Sequence, residues 1–260
     1  MTIFIKSYPK DFRFLKYCLM SIQKFVTGYK EIVILLPNET HIPNWFQDLT
    51  ELKINIHTIQ ETGNGYVFQQ LCKLNAWKYT IDEKIMFVDS DYMFDKPVDV
   101  SVIEPSILYV NYINAGDAII WKAPTEKAIG MAVEYEFMQR MPLVYYRKTL
   151  TGLANYLVKT HNQSVDYYVT SQSLFSEFNL IGAYAWNFEK DLYEWLEKDG
   201  SFIKTKNDVD VVSARWGIPG DLGIQFWSHA KKDGDKYQQY EFNRAVENIN
   251  RVLNLQITDI

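Results

Sequence analysis

The sequence predicts an α/β protein built on a mixed, mostly parallel sheet with helices on its faces. Short apolar runs of strand length recur along the chain, and segments with apolar residues at three- and four-residue spacing separate them. Strands that alternate with helices favour parallel pairing through helical crossovers, as in Rossmann-like sheets. No repeat, low-complexity run or clear linker interrupts the 260 residues, so we predict one domain over 1–260.

The first part of the chain supplies the alternating elements. Strands are predicted over 2–5, 31–37 and 52–58, which are short apolar runs rich in β-branched residues. A helix capped by Asp11 is predicted between the first two strands, and a short helix over 43–49. The apolar face of the longer helix comprises Phe14, Leu15, Cys18, Leu19, Ile22 and Phe25. No GxGxxG motif follows the first strand, which disfavours a dinucleotide site of the usual kind.

A helix over 66–79 is predicted to present two different faces. One face is apolar and is formed by Val67, Leu71 and Leu74. We expect the other face, which is polar and aromatic, to meet solvent or a ligand. That second face comprises Tyr66, Gln70, Lys73 and Trp77.

Further elements follow in the second part of the chain. Strands are predicted over 107–110, 118–121 and 224–227, because each is a short apolar run next to turn residues. Thr125 is predicted to cap a helix that runs to about Arg140. An amphipathic helix over 242–253 is predicted to close over the core.

Composition limits the classes of partner. The net charge is −5, so no global basic field attracts nucleic acid or an anionic membrane. No apolar run approaches the length of a membrane span. Cys18 and Cys72 both fall in apolar helical patterns and are interpreted as buried thiols without a disulfide. These observations favour the cytoplasm.

Two carboxylates follow the apolar strand 85–88. Asp89 and Asp91 are separated by one serine, and ligands of open α/β sheets bind just past the carboxyl ends of strands. Two like charges this close are unfavourable unless a cation lies between them, and oxygen ligands suit Mg²⁺ or Mn²⁺. A turn in which Asp89 caps a following helix is the structural alternative.

Asp89-Ser90-Asp91 after an apolar strand resembles the DxD motif of GT-A fold glycosyltransferases. The resemblance implies a GT-A sheet in which Asp89, Ser90 and Asp91 contact a nucleotide sugar, with a UDP-sugar favoured, through Mn²⁺ or Mg²⁺. It also implies a hexosyltransferase-like activity in which Asp91 is catalytic. The nucleotide-sugar half would span about 1–125 and the acceptor half about 126–260.

The same resemblance implies further residues at the donor site. Ser7 and Tyr8, after the first strand, would contact the nucleotide base, although Tyr8 can also simply pack at the strand end. In the helix before the DxD strand, Lys73 would offset phosphate charge, with Gln70 beside it. A solvated lysine remains the alternative for Lys73.

The resemblance extends to the chain near its end. His229 follows an apolar-aromatic strand and would complete the metal site with Asp89 and Asp91, because imidazole suits Mn²⁺. Lys231 and Lys232 would contact the diphosphate. The structural alternative is a histidine that serves only the fold.

A second stretch resembles the acceptor side of bacterial and phage GT-A-like proteins. It begins with Ser176, Glu177 and Phe178. Glu177 would orient the acceptor hydroxyl or remove its proton, as expected of a carboxylate base in an inverting enzyme. A capping serine followed by a first-turn glutamate is the alternative.

The acceptor is open between two chemistries. The segment 137–165 contains no Asp or Glu and carries basic residues among tyrosines, which is compatible with nucleic acid or with an ordinary basic helix face. The basic residues are Arg140, Arg147, Lys148, Lys159 and His161. A hydroxymethylated pyrimidine in phage DNA is one candidate acceptor, and a bacterial saccharide or surface glycan is the other.

Two functions of other classes remain. A nucleotidyltransferase or phosphotransferase also uses paired aspartates to hold a metal, but usually with a glycine-rich phosphate loop, which the sequence lacks. A non-catalytic module that binds a sugar nucleotide is the second. The sequence leaves the oligomeric state open.

Overall fold

The computed structural model describes residues 1–139, 141–199, 202–204, 211–212, 223–225, 250–251 and 253–254. The strands are β1 Thr2–Lys6, β2 Val26–Thr27, β3 Glu31–Pro37, β4 Ile54–Ile59, β5 Lys84–Phe87, β6 Tyr92–Phe94, β7 Val98–Asp99, β8 Ser106–Asn111, β9 Tyr135–Glu136, β10 Leu143–Tyr146, β11 Glu194–Asp199, β12 Phe202–Lys204, β13 Val211–Val212 and β14 Gly223–Gln225. The α-helices are α1 Phe12–Phe25, α2 Gly65–Leu74, α3 Lys122–Ile129, α4 Arg147–His161, α5 Val165–Thr170 and α6 Glu177–Phe188. Short 3-10 helices cover Pro9–Asp11, Asn44–Asp48, Ala76–Lys78, Val100–Val102, Tyr112–Asn114, Gly116–Trp121 and Lys190–Leu192.

The main sheet confirms the predicted mixed, mostly parallel α/β architecture. Its strand order is β10-β5-β1-β3-β4. The four strands from β5 to β4 run parallel, and β10 pairs antiparallel with β5 at one edge. Phe4 is paired with Phe87 in the centre of this sheet. The carboxyl ends of β1, β3, β4 and β5 therefore meet at one edge.

Helices cover both faces of the main sheet because its central strands are apolar on both sides. On one face, Ile3 and Ile5 of β1 belong to the same buried cluster as Leu19 of α1. On the other face, Phe4 is buried with Phe178 of α6 and with residues of α2. Helices α2 and α6 thus lie on the same side of the sheet, which positions the site described below.

A second sheet has the order β13-β12-β11-β8-β9. Its central pair, β8 and β11, is parallel, and the outer strands are antiparallel to their neighbours. Elsewhere β14 pairs antiparallel with β6, so that Gln225 is opposite Tyr92. This pairing brings residues 223–225 next to the loop that follows β5.

The predicted start of α1 was correct in position, since Asp11 is its N-cap residue, but the Asp11 side chain makes no capping hydrogen bond. Two other helix boundaries were wrong. Helix α2 ends at Leu74, and the chain continues as the 3-10 turn Ala76–Lys78. Helix α3 ends at Ile129 and not near residue 140, because Gly130 adopts a left-handed conformation with φ 69° that terminates the helix.

The strand predicted over 118–121 was also wrong. These residues belong to the 3-10 helix Gly116–Trp121, and Ile119 and Ile120 are about half exposed. A short apolar run does not by itself distinguish a strand from a helical turn. Thr125 lies inside α3, where its hydroxyl donates to the carbonyl of Trp121 and does not cap the helix.

Other predictions were confirmed. Strand β3 has the predicted bounds, and the strands near 2–5, 52–58 and 107–110 are present within two residues of theirs. Cys18 and Cys72 are buried and free. Among the described residues, none of the helices combines the length and apolarity needed to cross a membrane. The terminal helix over 242–253 lies almost entirely outside the described residues.

Candidate functional site

The site lies at the edge of the main sheet where β1 and β5 end. After β5, the backbone N–H of Val88 donates to the carbonyl of Phe4, which keeps the two chains together for one more residue. The chain then turns, with the N–H of Tyr92 donating to the carbonyl of Asp89 over 3.0 Å. Strand β6 begins at Tyr92. The alternative in which Asp89 caps a following helix is therefore wrong.

Lys73 of α2 joins two carboxylates at this edge. Its Nζ is 2.8 Å from Oδ1 of Asp89 and 3.1 Å from Oε1 of Glu177. The side chains of Lys73 and Glu177 are 8% and 5% exposed, and that of Asp89 is 26% exposed. The Lys73 ammonium also lies 4.8 Å from the centre of the Phe178 ring. The DxD-like loop, Asp89–Asp91 after β5, is thus joined to the start of α6 by the buried ammonium of Lys73.

The charge balance keeps Lys73 protonated. Burial alone would lower the pKa of Lys73, because a low-dielectric environment disfavours the ammonium. The nearby charges of Asp89 and Glu177, together with the hydrogen bonds to them, outweigh burial and raise the pKa of Lys73 above its ordinary value. Lys73 is therefore a fixed positive charge between the two acids.

Gln70 positions the start of α6. Its Oε1 accepts from the backbone N–H of Glu177 over 3.1 Å, and its Nε2 donates to the carbonyl of Tyr66 over 3.3 Å. This face of α2 was predicted to meet solvent or a ligand. Gln70 and Lys73 do not meet solvent, because both side chains are buried against α6. Tyr66, one turn earlier, is exposed.

The capping interpretation of the Ser176–Glu177 stretch is confirmed, and the role of Glu177 toward an acceptor stays a prediction. Ser176 is the N-cap of α6 and its hydroxyl oxygen accepts from the backbone N–H of Asn179 over 3.4 Å. Glu177 is the first residue of the helix, yet its carboxylate is directed to Lys73 and not to solvent. Asn179 in turn accepts from the N–H of Phe137, which ties α6 to the chain after β9. The cap and its partners hold Glu177 in place.

The predicted divalent cation site falls on the loop after β5. Ser90 and Asp91 are both buried, and with Asp89 they offer the hard oxygen donors that Mg²⁺ and Mn²⁺ prefer. Among the residues that the structure describes, no three His, Cys, Asp or Glu side chains are grouped as a metal centre. One oxygen of Asp89 already accepts from Lys73. These donors fit an ion that keeps several water or phosphate ligands.

The end of β1 places Ser7 and Tyr8 at the same edge. The Tyr8 hydroxyl donates to the carbonyl of Gly65 over 2.8 Å, so Tyr8 bridges this loop to the start of α2. Burial, with Glu61 nearby, raises the pKa of the Tyr8 hydroxyl. Sequence reasoning missed Lys6, which is buried beside Tyr8. The available signal was a lysine that ends an apolar strand next to the proposed ligand loop.

The structure brings some of the predicted residues together. Asp89, Lys73, Gln70 and Glu177 form one connected cluster. His229, Lys231 and Lys232 lie outside the described residues.

The basic segment 137–165 serves the fold at several of its residues. Arg147 donates to the carbonyls of Trp77 and Thr80. His161 bonds the carbonyl of Ala128 and stacks on Tyr168. Arg140 lies outside the described residues. These contacts favour the interpretation of the segment as an ordinary structural one.

A cavity of about 500 Å³ lies away from this cluster. Its walls include Glu31, at the start of β3, and Arg147, at the start of α4. It therefore opens at the edge where the parallel strands begin. Ligands of parallel α/β sheets bind at the opposite edge, so we assign the site to the carboxylate cluster and not to the cavity.

Comparison with known proteins gives a distant likeness. No protein-family model matches the sequence, and no curated protein matches it. Two structures of the glycosyltransferase GlyE of Streptococcus pneumoniae TIGR4, one of them the apo form, resemble this chain with TM-scores of 0.41 and 0.42 and 14% identity. Each match covers 75% of this chain and 44% of the other, so the chain spans less than half of the length of GlyE.

Proposed function

We propose that this chain is a metal-assisted glycosyltransferase that moves a sugar from a nucleotide diphosphate sugar, with a UDP-sugar favoured, to a hydroxyl acceptor. The observation that carries the proposal is the Lys73 bridge between Asp89 and Glu177. It joins the DxD-like loop, expected to serve the donor, to the acid expected to serve the acceptor. The cluster also lies at the carboxyl edge of a parallel sheet, where such ligands bind.

On the donor side, Asp89 and Asp91 would hold Mg²⁺ or Mn²⁺ beside the diphosphate. The bound ion would supply positive charge that stabilises the leaving diphosphate. Lys73 adds a fixed positive charge and holds the Asp89 carboxylate in one orientation. His229 belongs to the same proposal as a further ligand, on its position in the sequence alone. Lys231 and Lys232 belong to the same proposal as contacts of the diphosphate.

On the acceptor side, Glu177 would take the proton of the attacking hydroxyl. The new bond forms between that oxygen and the sugar's anomeric carbon, and the bond from this carbon to the phosphate oxygen breaks. The departing pair of electrons stays on the diphosphate. Gln70 and Lys73 hold the Glu177 backbone and carboxylate respectively, so the base is preorganised. A direct base of this kind is expected in an inverting transfer.

A saccharide is the acceptor that the described contacts support better than DNA. Arg147 and His161 of the basic segment bond backbone carbonyls within the fold. The Nε of Arg147 and the Nε2 of His161 are therefore already engaged within the fold. A hydroxymethylated pyrimidine in DNA remains the second candidate, and its binding would weaken steeply with added salt.

The cytoplasm is the proposed compartment. The two cysteines are free and buried, which fits a reducing environment.

Release of free UDP from a panel of UDP-sugars with Mn²⁺ tests the proposal. We expect one donor to be hydrolysed slowly without an acceptor and faster with one. Asp91→Asn should lower the rate by about 10²–10³-fold, whereas the exposed control Asp48→Asn should keep it. Binding of UDP without any turnover would instead indicate a non-catalytic module, and release of pyrophosphate from a nucleoside triphosphate would indicate a nucleotidyltransferase.

A further inference from the structure

Lys6 is a buried cation without a matching anion in the described part of the chain. It is the last residue of β1, and 5% of its surface is exposed. Its ammonium donates to the carbonyl of Ser7 over 2.8 Å and lies 3.7 Å from the centre of the Tyr8 ring. Among the described residues, no carboxylate forms an ion pair with Lys6, whereas Lys73 has two.

These contacts leave hydrogen-bonding capacity for a ligand. An ammonium has three N–H donors, and one of those of Lys6 is satisfied by the Ser7 carbonyl. The Ser7 hydroxyl is also buried and has no hydrogen-bond partner among the described residues. A buried charge and a buried hydroxyl both cost free energy unless they are partnered. A ligand with negative charge and several acceptor oxygens would stabilise both groups.

The electrostatic state of Lys6 agrees with this interpretation. Burial lowers the pKa of Lys6 to about 8, and the more distant groups Cys72, Glu61 and Asp11 offset burial only in part. An anion beside the ammonium would supply the attraction that these groups do not supply at their distance.

The register of the sheet places Lys6 beside the proposed donor site. Phe4 is paired with Phe87, and Lys6 and Asp89 each follow two residues later on these neighbouring parallel chains. Since residues two apart on a strand share a face, Lys6 lies on the same side of β1 as Phe4, the side covered by α2. Strands β1 and β5 end side by side, with the N–H of Val88 donating to the carbonyl of Phe4, so an anion held at Lys6 would lie at the same edge of the sheet as the Asp89–Asp91 loop.

We propose that the Lys6 ammonium and the Ser7 hydroxyl bind phosphoryl oxygens of the donor's diphosphate. The identity of the ligand rests on the proposed function, whereas the anion site rests on the geometry around Lys6. Ser7 is thereby given a contact with phosphate, where the resemblance to GT-A glycosyltransferases implies a contact with the base. A ligand at this place also accounts for a buried lysine at the end of an apolar strand.

Calorimetric titration at pH 7 with inorganic pyrophosphate, UDP and uridine, each with Mn²⁺, tests this site. We expect Lys6→Met to weaken pyrophosphate and UDP binding by about 10- to 100-fold, with uridine binding unchanged. Lys10→Met is the matched control, because Lys10 is an exposed lysine in the 3-10 helix that follows Tyr8, and it should bind as the wild type does. The melting temperature of ligand-free Lys6→Met should equal or exceed that of the wild type.

A second measurement needs no variant. At pH 8.5, UDP binding to the wild type should be accompanied by net proton uptake, since the ligand raises the affinity of Lys6 for its proton.

The inference is overturned if Lys6→Met binds pyrophosphate and UDP as tightly as the wild type does. It is also overturned if the wild type binds neither of these ligands, or if it binds UDP at pH 8.5 without taking up protons. The proposed function fails separately. If Lys6→Met keeps the wild-type KM for a turned-over UDP-sugar, the Lys6 site is wrong and glycosyl transfer stands. If UDP binds through Lys6 but no sugar nucleotide reacts, the anion site stands and the transfer is wrong.

Discussion

The ammonium of Lys73 donates to Oδ1 of Asp89 over 2.8 Å, so the helix that precedes β5 is ionically joined to the loop that follows it. The same ammonium reaches Glu177 at the start of α6. Three segments that are distant in sequence thus share one buried charge. Substitutions within this cluster can separate its contribution to stability from its contribution to the proposed transfer.

Lys73→Met should destabilise the fold strongly, because it leaves the Asp89 and Glu177 carboxylates without their cation. Breaking a buried ion pair by removing one partner costs about 3–5 kcal/mol. Urea denaturation monitored by tryptophan fluorescence measures the change. Lys122→Met is the control, since Lys122 pairs with Glu126 at the surface and should cost no more than about 1 kcal/mol. A loss at position 73 as small as that at position 122 would contradict the bridge.

Glu177→Gln should preserve the fold and impair the transfer. The amide oxygen can still accept from Lys73 and the Gln70 contact to the backbone is retained, but the amide cannot take a proton. Loss of a positioned general base lowers the rate by about 10²–10⁴-fold. We expect kcat with the acceptor to fall while UDP affinity is unchanged, with the exposed Glu83→Gln as control. A wild-type kcat would remove Glu177 from the chemistry.

The stability of Lys6→Met relative to the wild type should depend on pH. Burial lowers the pKa of Lys6 from 10.5 to about 8. Between these two pH values the unfolded state therefore binds more protons than the folded state does. The free energy of unfolding of the wild type consequently increases as the pH rises through this range. The buried charge of Lys6 reduces the free energy of unfolding by on the order of 3 kcal/mol. This reduction is full below pH 8 and absent above pH 10.5, where Lys6 is neutral in both the folded and the unfolded state.

Unfolding measured from pH 7 to 10.5 checks this dependence. Lys6→Met should exceed the wild type at pH 7, and the gap should narrow with rising pH. The groups that face Lys6, which are Tyr8, Cys72, Glu61 and Asp11, are common to both proteins. A gap that is constant over the whole range would contradict the lowered pKa.

Gly182→Ala should destabilise the contact between α6 and the chain after β9. A Cβ at position 182 would overlap Cγ of Phe137 and also its Cβ, which no side-chain rotation can move. Overpacking of a core costs about 1–3 kcal/mol. Gly63→Ala is a useful comparison because its Cβ would meet open space. Its destabilisation comes only from placing alanine in a left-handed conformation with φ 69°, which costs about 1–2 kcal/mol. Thermal unfolding at two scan rates measures both.

The sequence predicted the strands well where local chemistry bounds them. Strand β3 begins at Glu31 and ends at Pro37, where a charge and a proline interrupt a continuous apolar run. The run at 118–121 was misassigned because four apolar residues fit a 3-10 turn as well as a strand.

The site was predictable in its parts but not in its connections. The acid pair was evident from its spacing, whereas the contact of Gln70 with the Glu177 backbone spans 107 residues and arises only when α2 and α6 pack side by side. Lys6 was missed because a lysine at the end of a strand is ordinarily solvated. Its burial depends on Tyr8 and the start of α2, which the pattern of β1 alone does not reveal.

The most direct measurement is the anomalous difference density of Mn²⁺ in crystals soaked with Mn²⁺ and UDP. We expect one Mn²⁺ peak within about 2–2.5 Å of carboxylate oxygens of Asp91 or Asp89, with the diphosphate of UDP beside it. Mn²⁺ and UDP bound at a different place in the molecule, with the Asp89–Asp91 loop unoccupied, would contradict the central claim.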